Sequence, residues 1–384
     1  MCATRRPGGR PPAFAAHRLA LAPALPGASA ATLERALAQG LREGGPAFAA
    51  LLADSGLGPL WHRALHAHGL QQRLPAAALD ALKAARTRAA AAYCLQTAAL
   101  RQIDRLFEAG GIAYAAIKGA QVRELAYDEP ALRPACDIDI LVRAGQRAEA
   151  GRALAGAGFA YCPDPCNLSH EAGFARPGVS VDLHWDVLRP GRTPAGLAGA
   201  LLDRRRRAGG FYGLDEADAM LLMLAHPAFA KHVCTPHMGL HRAADFAFWT
   251  ARRAVDWDLV AARLDGAGLK TAAWTVLSWF GLLGLPTPAA FAARIRPGPA
   301  RARYLRHWLE HDLPTRWQSR PLLVQLGLTA LLHDRPRDAW RAFAGRARAG
   351  LSPRPDPFAG LDQPPPLQAQ HPVGEGQAGR AVGD

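Results

Sequence analysis

Lysine is nearly missing from this chain. Lysine and arginine together number 46 against 32 aspartates and glutamates, yet lysine occurs only at Lys83, Lys118, Lys231 and Lys270. The formal charge of +14 therefore rests on arginine, in a sequence also rich in alanine, glycine and proline. That is the usage a GC-rich coding sequence produces, so the charge is weak evidence for a partner. A long basic stripe interleaved with aromatics is lacking too, and a nucleic-acid partner is not expected on this ground. The one dense run, Arg204 to Arg207, reads as a solvated helix face. Although 49% of residues are hydrophobic, no apolar run reaches the ~18 to 20 residues that span a bilayer, and a soluble protein without a membrane partner is expected. Six cysteines, Cys2, Cys94, Cys136, Cys162, Cys166 and Cys234, are too dispersed for a disulfide framework and fit a reducing cytoplasm. The first 33 residues contain no acid. Their LALAPALPGASA segment faintly resembles a signal peptide, but prolines interrupt it and an extended or disordered arm is the better reading.

What the chain does have is a stretch of chemistry from Ile112 to Val142. An apolar strand ends at Lys118-Gly119, a short helix follows, and Asp137-Ile-Asp139 opens a second apolar strand. Successive strand residues point to opposite faces, so Asp137, Asp139 and Leu141 share one face while Ile138, Ile140 and Val142 share the other. Two carboxylates held this close are unfavourable unless a cation lies between them, and oxygen donors suit Mg²⁺ or Mn²⁺. A further alternating stretch, Val179 to Val187, places Val181, Leu183, Trp185 and Val187 toward a core and Asp182, His184 and Asp186 on the other face. If the two strands are neighbours, Asp182 completes a three-carboxylate site. His184, one strand step beyond, would orient that carboxylate. The helix starting near Gly119 offers free N–H groups and a positive dipole end to phosphate.

These segments, Ile117-Lys-Gly119, Leu132-Arg-Pro134, Asp137 to Val142 and Val181-Asp-Leu-His-Trp185, resemble in order the motifs of the uncharacterised nucleotidyltransferases, a family of the DNA-polymerase-beta-type nucleotidyltransferase superfamily. The resemblance runs from about Arg101 to Pro288. It implies a metal-dependent transferase moving a nucleoside monophosphate from an NTP, with ATP the first expectation, to an unidentified acceptor. Asp137, Asp139 and Asp182 would be both catalytic and metal ligands for Mg²⁺ or Mn²⁺. Lys118, Gly119 and Arg133 would bind the nucleotide phosphates. Gly119 is followed by Ala120 where the superfamily usually has Gly-Ser, which keeps a non-catalytic nucleotide- or partner-binding member open. A glycosyltransferase using D-x-D predicts a large nucleotide-sugar domain upstream, where this chain reads as helices.

The expected class is α+β: a small nucleotidyltransferase-type mixed sheet flanked by N-terminal and C-terminal helical regions. The expected units are a disordered arm (1–30), N-terminal helices (31–109), the nucleotidyltransferase core (110–190), a helical domain (191–350) and a disordered Pro/Gly-rich tail (351–384). Ser29 or Thr32 caps the first helix, and Asp215 caps another whose Pro227 should kink or break it. His226, His232 and the i,i+4 pair His241 and Asp245 read as packing residues that could also brace the site. Cys162, Cys166 and His170 have spacing that mimics a zinc site by coincidence. Glu171 reads as a solvated loop residue, and Asp128 and Asp186 as turn caps.

Overall fold

The computed structural model describes residues 14–164, 169–229 and 236–351, together with Phe358 and Leu361. Seven strands form one mixed sheet: β1 (Tyr114–Ala116), β2 (Ile138–Val142), β3 (Ala160–Cys162), β4 (Glu171–Arg176), β5 (Val179–His184), β6 (Arg206–Arg207) and β7 (Tyr212–Gly213). Their order across the sheet is β3-β4-β5-β2-β1-β7-β6. β1 runs antiparallel to β2, whereas β5 runs parallel to β2, with Asp139 opposite Asp182.

Alternation along these strands decides which layer covers each face. Ile138, Ile140 and Val142 of β2, with Val181 and Leu183 of β5, join one core with Ala99, Ile103 and Phe107 of the helix Ala76–Ala109 and Leu154 of the helix Arg147–Gly156. The opposite face carries Asp139, Leu141, Asp182 and His184. Leu141 belongs to a second, larger core that runs from Phe14 to Leu332 and joins the N-terminal and C-terminal helices. The two helical regions therefore bury their apolar faces together on the side of the sheet that holds the carboxylates. The turn from the long helix into β1 uses Gly111 at φ 64°, a conformation glycine adopts without penalty.

Several expectations are corrected. The N-terminal arm is folded from Phe14 on: Ala15–Ala20 is a helix, Leu21 is fully buried, and Trp61 Nε1–H donates to the Ala20 carbonyl at 2.7 Å. Residues 1–13 lie outside the described residues. The tail likewise returns a packed residue, Phe358, which sits 3% exposed against Tyr161, Phe174 and Trp185. Ser29 Oγ accepts from Thr32 N–H, and Asp215 Oδ1 accepts from Asp218 N–H, as caps should. Pro227 does not break its helix, which runs from Glu216 to Phe229. The Arg204–Arg207 run is not a helix face but leaves a helix at Arg204 and ends in the edge strand β6: Arg204 pairs with Asp218, and Arg207 with Asp104 and Glu108. Among the described residues, no helix is long and apolar enough to cross a membrane.

Candidate active site

The site forms where β1 ends and β2 begins. Ile117 N–H donates to the Asp139 carbonyl at 3.0 Å, which ties the end of β1 to β2 before the chain enters the helix Lys118–Ala126. Lys118 makes that entry with φ at 52°, in the left-handed region that a side chain seldom occupies. Its Nζ donates to Asp139 Oδ1 at 2.6 Å and lies 3.3 Å from His184 Nε2. The strained backbone is thus accompanied by an ion pair inside the site.

Asp139 and Asp182 are register partners, and their side chains rise from adjacent strands on the same face. One carboxylate oxygen of each, with a ring nitrogen of His184, lie within 4.8 Å of one another. His184 Nε2 is 2.8 Å from Asp139 Oδ1, and Nδ1 is 3.2 Å from Glu171 Oε2. Glu171, the register partner of His184 on β4, is therefore no solvated loop residue but holds the imidazole from behind. His184 is 3% exposed, and it reaches Asp139 directly where orientation of Asp182 was expected.

Asp137 stands one residue before β2, half-buried. Burial, then the Asp139 and Asp182 carboxylates, push its pKa up to about 7. Asp182 is raised for the same reasons, burial first and Asp139 next. Burial works in the same direction on Asp139, but the Lys118 ammonium and His184 outweigh it and hold that carboxyl well below the usual range. Three neighbouring acids thus divide into one held firmly ionised and two pushed the other way. Such a split is what like charges in a confined space produce.

Gly119 and Arg133 form a second layer. Arg133 Nη2 donates to Asp245 Oδ2 at 2.9 Å and Nη1 to the Pro134 carbonyl at 2.9 Å, while Tyr127 OH donates to Asp245 Oδ1 at 2.8 Å. A Cβ on Gly119 would clash with the Arg133 guanidinium, so a side chain here would have to displace an arginine tip that Asp245 and the Pro134 carbonyl hold. Arg133 is committed to this clamp. Ala120 is 1% exposed and sits in the sheet-side core, so its side chain places no hydroxyl at this turn.

Further residues complete the surroundings. Arg242, on the helix Pro236–Arg252, is half-buried and close enough to Asp245, Asp139 and Asp137 to be influenced by each. His226 is held well below the usual histidine value by burial, then by Lys118 and Arg242. His241 is lowered by burial, Arg133 and Arg242, and packs against Gly56. Asp245, expected to pair with His241, is the acceptor for Arg133 and Tyr127. Sequence reasoning missed Arg242, whose signal was its place beside His241 and three residues before Asp245. Asp186 serves its turn, accepting from Val187 N–H and Thr193 Oγ1, and Asp128 pairs with Arg252. Cys162 is exposed and free; Cys166, Lys231, His232 and Cys234 lie outside the described residues.

The donor set fits a hard divalent cation. Two strand carboxylates converge with an imidazole, and a third carboxylate stands adjacent. Oxygen donors favour Mg²⁺, and the imidazole makes Mn²⁺ equally compatible.

A mixed sheet with paired carboxylates on neighbouring parallel strands, beside a glycine turn into a helix, makes this an α+β protein with a candidate acidic metal site. The chain belongs to the family described as uncharacterised nucleotidyltransferase, whose profile matches residues 44–283. Comparisons with curated proteins and with solved structures return no match.

Proposed function

We propose that the protein transfers a nucleoside monophosphate from an NTP, ATP in the first instance, to an acceptor hydroxyl, with release of pyrophosphate. The observation that carries this is the Asp139–Asp182 register pair with His184 beside it, in a chain of this family. Asp137, Asp139 and Asp182 would hold Mg²⁺ or Mn²⁺, with His184 available as a further donor. A divalent ion bound there supplies charge neutralisation for the triphosphate and acidifies the acceptor hydroxyl.

The chain's own groups would do the rest. Backbone N–H groups at Gly119 and the following turn face the phosphates at a helix N-terminus, with Lys118 Nζ as a point cation beside them. The acceptor oxygen attacks the α-phosphorus, the bond from that phosphorus to the bridging oxygen breaks, and pyrophosphate leaves. Asp182, whose proton affinity is raised by burial and by Asp139, accepts the hydroxyl proton. Arg133 supports this site through Gly119 and Asp245, in place of the phosphate contact expected for it.

The test is turnover of α-labelled nucleotides in a fractionated extract that supplies acceptors, comparing wild type with Asp139→Ala. Metal-dependent label transfer and pyrophosphate release, lost in the variant, support the reading. Absence of transfer from all four nucleotides, with equal absence of metal-dependent nucleotide binding, contradicts it.

A further inference from the structure

The C-terminal segment leaves several large apolar side chains uncovered. Of nine large hydrophobic side chains exposed among the described residues, seven fall between Tyr304 and Phe343, led by Trp340 at 71% and Leu322 at 68%. A single exposed leucine is ordinary, whereas two clusters of large apolar side chains, on helices that both touch the short segment Thr329–Leu332, mark an interaction surface. Trp340 and Phe343 stack, ring centroids 6.3 Å apart, on the helix Pro336–Leu351. Leu322, Leu323 and Leu326 stand exposed on the helix Pro321–Gly327.

Arginine accompanies them. Residues 313–351 contain seven arginines and two aspartates, and both aspartates are engaged. Asp334 accepts from the N–H groups of Lys270 and Thr271, and Asp338 is held by Arg341. Arg337 and Arg341, one turn apart on the Trp340 helix, line a cleft with Arg335, Arg192, His333 and Asp338, the one acid among five basic side chains there and within 4.0 Å of both helix arginines. Arg192 and His333 are 8% and 3% exposed, so the floor of the cleft is built. Exposed tryptophan, phenylalanine and leucine beside guanidinium groups is the chemistry of a helix that lies in a lipid–water interface, with rings at the headgroup boundary and arginines on phosphates.

We propose that this C-terminal face, built on the helices Pro321–Gly327 and Pro336–Leu351, docks on an anionic phospholipid surface, with Trp340 and Phe343 entering the headgroup boundary and Arg337 and Arg341 on the phosphates. Charge complementarity selects that occupant. A second copy meeting the same face about a two-fold axis would bring arginine against arginine. Residues 362–384 offer only Leu367, Val373 and Val382 as large apolar side chains, too few to cover it. Surface docking needs no spanning helix, and it departs from the expectation of no membrane partner. It also stands independently of the catalytic reading.

Co-sedimentation of the full chain with vesicles tests this, using phosphatidylcholine alone and phosphatidylcholine mixed with phosphatidylglycerol. A net charge of +14 attracts anionic vesicles without any docking face, so the deciding variant preserves charge. Trp340→Ser/Phe343→Ser is expected to weaken partitioning onto the mixed vesicles about ten-fold, its fold confirmed by an unchanged melting curve. Arg337→Glu/Arg341→Glu is expected to lose at least as much. Arg42→Glu/Arg152→Glu, the same charge change at exposed positions elsewhere, is expected to lose only about two-fold or less. Mixed vesicles that bind the serine variant as well as wild type, or that bind neither, overturn the proposal. So does a dimer dispersed by Trp340→Ser in a protein that ignores vesicles.

Discussion

Asp137 and Asp139 stand two residues apart and are pushed in opposite directions. Asp137, raised from 3.8 to about 7, keeps a proton in the folded chain over a range where the unfolded chain has lost it. Its contribution to stability is therefore fully present below about pH 4 and is lost as pH rises toward 7. Asp139, held low by Lys118 and His184, contributes in the other sense: its stabilisation is present above the ordinary aspartate range and is lost only in strong acid. In metal-free protein, Asp137→Asn is expected to be more stable than wild type by about 2–4 kcal/mol near pH 8 and by less than half of that near pH 5. Urea unfolding with a chelator at both pH values checks this, and an equal difference at the two would contradict the assigned environment. Glu171 acts at the same scale, because with Nδ1 of His184 facing it, Nε2 is left pointing at Asp139 and Lys118. Glu171→Gln is expected to weaken Mn²⁺ binding by about 10–100-fold, measured by calorimetric titration, with the melting temperature little changed. Strand alternation made legible the faces that carry Asp137 with Asp139 and Asp182 with His184, whereas the pairing of β2 with β5 that brings Asp139 opposite Asp182 was only a condition. Glu171 was not, since nothing local says that the β4–β5 register sets it opposite His184.

The turn from β1 into the helix Lys118–Ala126 is strained at Lys118 and crowded at Gly119. Its surroundings are fixed by a clamp that joins Arg133 and Tyr127 to Asp245, more than a hundred residues later. Gly119→Ala is expected to displace the Arg133 guanidinium and cost about 1–3 kcal/mol. Asp245→Asn, which leaves a buried guanidinium without its counter-charge, should cost about 3–5 kcal/mol. The double variant is expected to cost less than the sum of the two, because both disturb the same side chain. A double-mutant cycle in urea reads that coupling, and strict additivity would show that Gly119 and the clamp are separate. Helix and strand positions were largely legible from periodicity and caps, as at Ser29 and Asp215. The role of Arg133 was not, because a guanidinium in a motif looks the same in sequence whether it faces phosphate or an aspartate on a distant helix. Arg204–Arg207 misled for a related reason: charge density reports exposure, and pairing with Asp218 and Asp104 depends on the fold.

Across the whole molecule, helices from both ends of the chain share one core against the carboxylate face of the sheet. Periodicity revealed that these helices are amphipathic but could not show which faces meet, so the folded segment from Phe14 and the return of Phe358 went unread. Phe358 lies against Tyr161, Phe174 and Trp185 and fills the space that Gly151 leaves open. Phe358→Ala is expected to cost about 3 kcal/mol, read as a lowered urea midpoint, whereas a change within error would show that the segment contributes no packing.

A divalent cation held between β2 and β5 is the centre of the proposed chemistry, and Mn²⁺ is a direct probe of it. Electron paramagnetic resonance of Mn²⁺ titrated into the full chain, with and without a non-hydrolysable NTP analogue, reports bound against free ion. Saturable binding that the analogue strengthens, and that is lost in both Asp139→Ala and Asp182→Ala while their folded state persists, is the expected result. Binding that survives in both variants, or wild-type protein that leaves Mn²⁺ free in the presence of each of the four analogues, would contradict the site and the proposed chemistry together.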